Sequence, residues 1–137
     1  GRTVSNQEPK YLYSKDSNKN HVLYNIDKVE KNNKPLFLTE GELDTIRFTE
    51  LGYPRSVALG GSNLGDRKWL LREYTNHVIL ALDTDDAGMK ARKKIIKELY
   101  PIMDVSVINP PKQIDIGDIT DVEFLNELIK NKRRYKG

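Results

Sequence analysis

The sequence predicts an α/β fold built on an open sheet of about four parallel strands flanked by helices. Two observations carry that expectation. From Pro35 onward, short apolar and β-branched runs alternate with stretches of helical periodicity, the rhythm of βαβ units. Acidic residues then collect directly behind three of the four strand runs. That is the carboxyl edge, where open α/β sheets gather ligands.

Leu36–Thr39 reads as a buried strand, and residues 42–51 as a helix stopped by Gly52 and Pro54. Residues 56–59 form a second short strand running into Gly60 and Gly61. A helix is expected over 66–74, with Trp69, Leu70 and Leu71 on its buried side. Residues 77–82 (HVILAL) read as the third strand and 86–100 as the longest helix. Ala87, Ala91, Ile95, Ile96 and Leu99 follow helical spacing there, and Pro101 closes the helix. The fourth strand spans 104–108, and a last helix spans 122–129 with Phe124, Leu125, Leu128 and Ile129 facing inward. Residues 1–34 are polar and rich in Asn and Lys, and read as the trailing segment of a neighbouring subdomain. The expected organisation is therefore a leading segment to residue 34, the α/β domain over 35–129, and a basic tail over 130–137.

The chain has 137 residues, of which 37 % are hydrophobic, enough to bury one core. A mean hydropathy of −0.66 and the lack of a long apolar run exclude a membrane-spanning helix, and the polar opening residues predict no signal peptide. Cysteine is absent, which rules out disulfides, thiolate metal sites and cysteine nucleophiles. The net charge of +3 is unevenly spread. Residues 35–129 carry sixteen acids against eleven bases, whereas the last eight residues hold five bases and no acid. An acidic middle between basic ends suits a metal-dependent site beside a polyanion-binding surface. By itself the C-terminal run reads as a solvated tail. Lys90, Arg92, Lys93, Lys94 and Lys97 likewise read as a solvated helix face, and His77 as a structural histidine.

The acid clusters are Glu40-Gly41-Glu42-Leu43-Asp44, Asp83-Thr84-Asp85-Asp86 and Asp115-Ile116-Gly117-Asp118. Carboxylates crowded on one edge repel one another, and an all-oxygen set of this density suits Mg²⁺ or Mn²⁺. Gly41 permits a sharp turn after Glu40, and Asp44 lies one helical turn on. Asp83 and Asp85 alternate along extended backbone, so both can serve the site while Thr84 points away. A single acid here would read as a helix cap, as Asp44 and Asp86 do in isolation.

EGELD at 40–44, DTDDAG at 83–88 and the later Asp115 resemble the TOPRIM family, a Rossmann-like fold shared by primases, topoisomerases and some nucleases. The resemblance spans about residues 35–121. Gly1-Arg2, Pro9-Lys10-Tyr11-Leu12, Lys19 and Leu23-Tyr24 are similar to the stretch preceding that domain in DnaG-type primases, as Val57-Ala58-Leu59-Gly60 is to its second strand. Tyr13, His21, Thr84 and Glu42-Leu43 depart from the bacterial pattern, and the last pair is closer to phage primase-helicases.

The resemblance implies a primase catalytic-core fragment, bacterial or from a phage or mobile element, acting in the cytoplasm. It implies metal-dependent nucleotidyl transfer that makes short RNA primers from ribonucleoside triphosphates on single-stranded DNA, beside a replicative helicase and away from membranes. Asp83, Asp85 and Asp115 would be the main ligands of Mg²⁺ or Mn²⁺, with Asp44 and Asp118 supporting them and Glu40 either ligating or relaying a proton. Glu40, Asp44, Asp83 and Asp85 would be the catalytic set. Arg2, Lys10, Tyr11 and Lys19 would contact template or nucleotide. A TOPRIM nuclease or RNA-maturation enzyme, or a non-catalytic nucleic-acid-binding module, is the alternative.

Overall fold

A computed structural model describes residues 23–60 and 64–136. Strand β1 (Leu36–Thr39) is followed by α1 (Glu42–Glu50), β2 (Ser56–Ala58), α2 (Arg67–Tyr74), β3 (His77–Ala81) and α3 (Asp86–Leu99). Then come β4 (Asp104–Val107), a 3-10 turn (Ile116–Asp118), α4 (Val122–Lys130) and β5 (Arg133–Arg134). The five strands form one sheet in the order β2-β1-β3-β4-β5. The first four are parallel, with Leu38 beside both Val57 and Leu80, and Leu80 beside Val107. β3 therefore sits in the middle, which explains why its sequence is apolar at successive positions: both of its faces are covered.

Side chains alternate between those faces. Leu36, Leu38, Val78, Leu80 and Val105 pack with Leu71, Ile95 and Leu99 from α2 and α3. Phe37, Ile79 and Ala81 pack with Phe48 of α1 and Leu125 of α4. Leu23, Ile26 and Val29 join the first of these layers, and Tyr24 bridges to Ala58 across the edge of β2. The described part of the leading segment thus covers the sheet. Among the described residues no helix is long and apolar enough to cross a membrane.

Three expectations change. Trp69 is 53 % exposed, because the buried stripe of α2 runs through Arg67, Leu70, Leu71 and Tyr74, and Trp69 lies off it. Arg67 takes the place expected of an apolar residue, donating from Nη1 to the Leu59 carbonyl at 2.6 Å. On α3, Ala87 is exposed while Arg92 is buried, so Arg92 does not belong to a solvated basic face. The sheet also has a fifth strand. β5 is antiparallel to β4 and covers the backbone groups that β4 would otherwise leave unpaired at the sheet edge. Two residues are too few to carry a period, so the sequence reads them as tail. His77 is structural, its Nε2 lying 2.8 Å from Ser106 Oγ.

Candidate metal centre

Each acid cluster reaches the carboxyl edge by a different local device. The β1–β2 pairing continues past the strands, with Leu59 N donating to Thr39 O and Gly60 N to Glu40 O, both at 2.9 Å. This fixes the backbone of Glu40. Thr39 Oγ1 and Thr45 Oγ1 lie 2.9 Å apart in the core and join β1 to α1. Asp44, in the first turn of α1, accepts from Gly41 N at 3.3 Å and is turned back toward the strand end. At the end of β3, Asp83 Oδ1 accepts from Ile116 N at 2.9 Å, which draws the third acid cluster beside the second. Asp85 caps α3, its Oδ1 accepting from Gly88 N at 2.7 Å. Between them Thr84 is buried and donates to the Pro110 carbonyl at 3.1 Å.

Two glycines permit the close approach. A Cβ on Gly88 would lie 1.9 Å from the Asp83 carbonyl oxygen, and one on Gly117 would lie 2.6 Å from Asp44 Oδ1. Arg47 Nε donates to the Gly117 carbonyl at 3.2 Å and ties α1 to the 3-10 turn that carries Asp118.

The electrostatics follow from this crowding. Burial, then the hydrogen bond shared with the Asp83 carboxyl, then the charges of Asp83 and Asp85 push the Glu40 carboxyl up to about 7. Burial also raises Asp44. The Gly41 amide partly opposes that rise, and the charges of Asp83, Asp115 and Asp118 add to it. Asp115 is raised first by the charge of Asp83 and further by Asp118 and Asp85. All six expected residues thus belong to one edge: Asp83 and Asp85 act on Glu40, Asp83, Asp115 and Asp118 act on Asp44, and Asp83, Asp118 and Asp85 act on Asp115. Among the described residues no three of them close on a common point as a ready-made cage. Asp83 and Asp85 each commit one oxygen to a backbone amide. The set offers hard oxygen donors under unrelieved repulsion, which fits a divalent cation such as Mg²⁺ or Mn²⁺. Arg2, Lys10, Tyr11 and Lys19 lie outside the described residues.

Sequence reasoning passed over the parts that shape this edge without ligating. Gly88 and Gly117 were visible as glycines inside the acidic motifs. The Thr39–Thr45 contact and the Arg47 tether carry no such signal.

This fold and this edge define a known class. Residues 37–120 match the family described as Toprim-like, and the chain belongs to that family. Its similarity to DNA primases runs over nearly its whole length. It is 32 % identical over 147 aligned residues to the DNA primase of Thermotoga maritima, a match covering 99 % of this chain and 26 % of that protein. The chain thus spans about a quarter of that relative. The crystal structure of the Aquifex aeolicus primase (zinc binding and RNA polymerase domains) superposes with a TM-score of 0.78 at 26 % identity, over 98 % of this chain and 36 % of that one. A DnaG primase catalytic domain solved bound to single-stranded DNA shares the fold, with a TM-score of 0.72 at 23 % identity over 85 % of this chain and 40 % of that one.

Proposed function

We propose that this chain is the TOPRIM portion of a DNA primase and that its acidic edge serves metal-dependent nucleotidyl transfer in primer synthesis. The observation that carries the proposal is the joining of three strand-end acid clusters, above all through the Asp83–Ile116 hydrogen bond. Acids placed only to cap helices have no reason to stand close enough for Asp83, Asp115 and Asp118 to act together on Asp44. Asp83, Asp85 and Asp115 would be the main ligands of Mg²⁺ or Mn²⁺, supported by Asp44 and Asp118. Bound there, the cation supplies stabilisation of the attacking and leaving oxygens and of the charge on the transferring phosphate.

The residues of the chain do the rest. Asp85 holds the start of α3 against the strand end, and Asp83 holds the loop of Asp115. Glu40, titrating near neutrality, either ligates or moves a proton shared with Asp83. Single-stranded DNA template and ribonucleoside triphosphates are the partners this reading requires, with Arg2, Lys10, Tyr11 and Lys19 as their contacts. A replicative helicase would be met through parts of the primase that this chain does not span. A cytoplasmic location follows from the same reading.

The test is RNA primer synthesis on single-stranded DNA by the full-length protein that carries this segment. Asp83→Asn should lower the rate by about 100-fold or more, the scale of losing preorganised charge stabilisation, with the fold intact by circular dichroism. Undiminished synthesis refutes the assignment, and cleavage of the template in place of copying favours a TOPRIM nuclease.

A further inference from the structure

Composition makes the last eight residues a solvated basic tail, but the fold holds part of them in place. Val107 pairs with Arg133 and Ser106 with Arg134. Tyr135 N donates to the Val105 carbonyl at 2.8 Å, and its ring meets Tyr100 edge-on at 4.9 Å. A cavity of about 370 Å³ lies where β5, the outer edge of β4 and α3 meet, with Arg92, Asn109, Arg133, Arg134 and Tyr135 in its walls. Arg133, in register with Val107, shares the sheet face of Arg92, whereas Arg134 follows Ser106 to the other face; among the described residues no acid lines the cavity.

The charges are incompletely balanced. Arg134 is paired with Asp104 at 2.7 Å. Among the described residues Arg92 meets neutral acceptors only, donating to Asn109 Oδ1 at 2.8 Å and to the Ile108 carbonyl at 3.2 Å. It is 8 % exposed, and its Nε is buried with no hydrogen-bond partner among the described residues. Arg133 has no ion pair among the described residues. A buried guanidinium without a counter-charge is expensive to maintain, and a second one beside it adds repulsion. An anion in the cavity relieves both. Because the guanidinium fork matches phosphate geometry and β5 pre-positions Arg133 on the face of Arg92, we propose that this cavity is a phosphate-binding site. Its ligand is a phosphate group of a nucleic-acid backbone or of a nucleotide polyphosphate.

The cavity reaches Asn109, just past the carboxyl end of β4, the end of the parallel sheet at which β3 delivers Asp83. A polyanion crossing the acidic edge would find a compensating positive site there. The inference goes beyond the metal centre and stands on residues the centre does not use.

Amide-resolved NMR of the whole chain in EDTA tests it with two probes, inorganic pyrophosphate and a short oligothymidylate. Shifts should concentrate at Val107, Asn109, Arg133 and Tyr135. Arg133→Ser, which leaves the Arg134–Asp104 pair intact, should weaken binding by about 10-fold and flatten its salt dependence. Arg92→Lys, which keeps the charge and loses the fork, should weaken it as well. A response to oligothymidylate identifies a nucleic-acid backbone as the ligand, and a response to pyrophosphate alone identifies a nucleotide polyphosphate. Asp83→Asn with Asp85→Asn should retain these responses while losing those to Mg²⁺, so the two sites fail separately. No response to either probe, shifts centred elsewhere, or wild-type affinity in Arg133→Ser overturns the proposal.

Discussion

Gly88→Ala is the substitution on which helix propensity and site geometry disagree most sharply. Replacing a helical glycine with alanine ordinarily gains about 0.5–1 kcal/mol. Here the new Cβ would stand 1.9 Å from the Asp83 carbonyl oxygen and 2.7 Å from its carbon. Ordinary contact begins at 3.4 Å, so the backbone must part by about 1.5 Å, with no flexible side chain to yield. Overpacking of this kind costs about 1–3 kcal/mol, which exceeds the propensity gain. The displacement also separates Asp83 from Asp85 and strains the 2.7 Å Gly88–Asp85 hydrogen bond. Functional constellations tolerate about 0.5 Å of misplacement. Urea denaturation should therefore show a loss of about 1–3 kcal/mol, and a Mn²⁺ titration a dissociation constant raised about 10-fold or more. Lys90→Ala, at an exposed position two residues on, should stay within about 0.5 kcal/mol of wild type. If Gly88→Ala is as stable as the parent and binds Mn²⁺ equally well, the close approach of α3 to the end of β3 does not shape this site.

Glu40, raised from 4.5 to about 7 in the fold, binds its proton more tightly folded than unfolded. In EDTA its contribution to stability is complete below pH 4.5 and is lost as pH rises through about 7. Discounted for its partial exposure, that loss is on the order of 1–2 kcal/mol. Glu40→Gln should remove it, seen as the difference between the two proteins in denaturation at pH 5 and pH 8. Equal pH profiles would refute it, and the comparison cancels the opposite trend from His77, whose pKa burial lowers. Thr84→Val should cost about 1–2 kcal/mol, because the buried Pro110 carbonyl loses its 3.1 Å donor; a neutral result means another donor reaches it. Gly117→Ala places a Cβ 2.6 Å from Asp44 Oδ1. Since a side chain can swing aside, the fold should hold within about 1 kcal/mol while metal affinity falls, and unchanged affinity would remove Asp44 from the ligand set.

The four parallel strands are legible in the sequence because both faces of the sheet are covered, which turns each strand into a short apolar run; their order, β2-β1-β3-β4, is not. The acidic edge is legible for a related reason: β1, β3 and β4 are parallel, so whatever follows each strand arrives at the same end. Periodicity could not reveal Arg67 and Arg92 as buried residues. Each donates to a backbone carbonyl that becomes available only when other segments fold against it, Leu59 for one and Ile108 for the other. Trp69 misleads in the opposite sense, since apolar character predicts burial only for residues on the stripe. β5 depends on an exposed sheet edge and an ion pair to Asp104, neither of which a two-residue window contains. The hydrogen bond from Ile116 to Asp83 spans 33 residues and belongs to tertiary structure alone.

The central claim is that a divalent cation is held by the joined acid clusters through Asp83 and Asp85. Chemical denaturation of the wild type and of the Asp83→Asn, Asp85→Asn double variant, each in EDTA and in Mg²⁺ or Mn²⁺, addresses it directly. Wild type should gain stability with cation concentration, by about 2.7 kcal/mol at a hundred times the dissociation constant. The double variant should gain none, and its stability in EDTA should equal or exceed that of wild type, because two mutually repelling charges are gone. A double variant that the cation stabilises as strongly as wild type would place the metal elsewhere and contradict the claim.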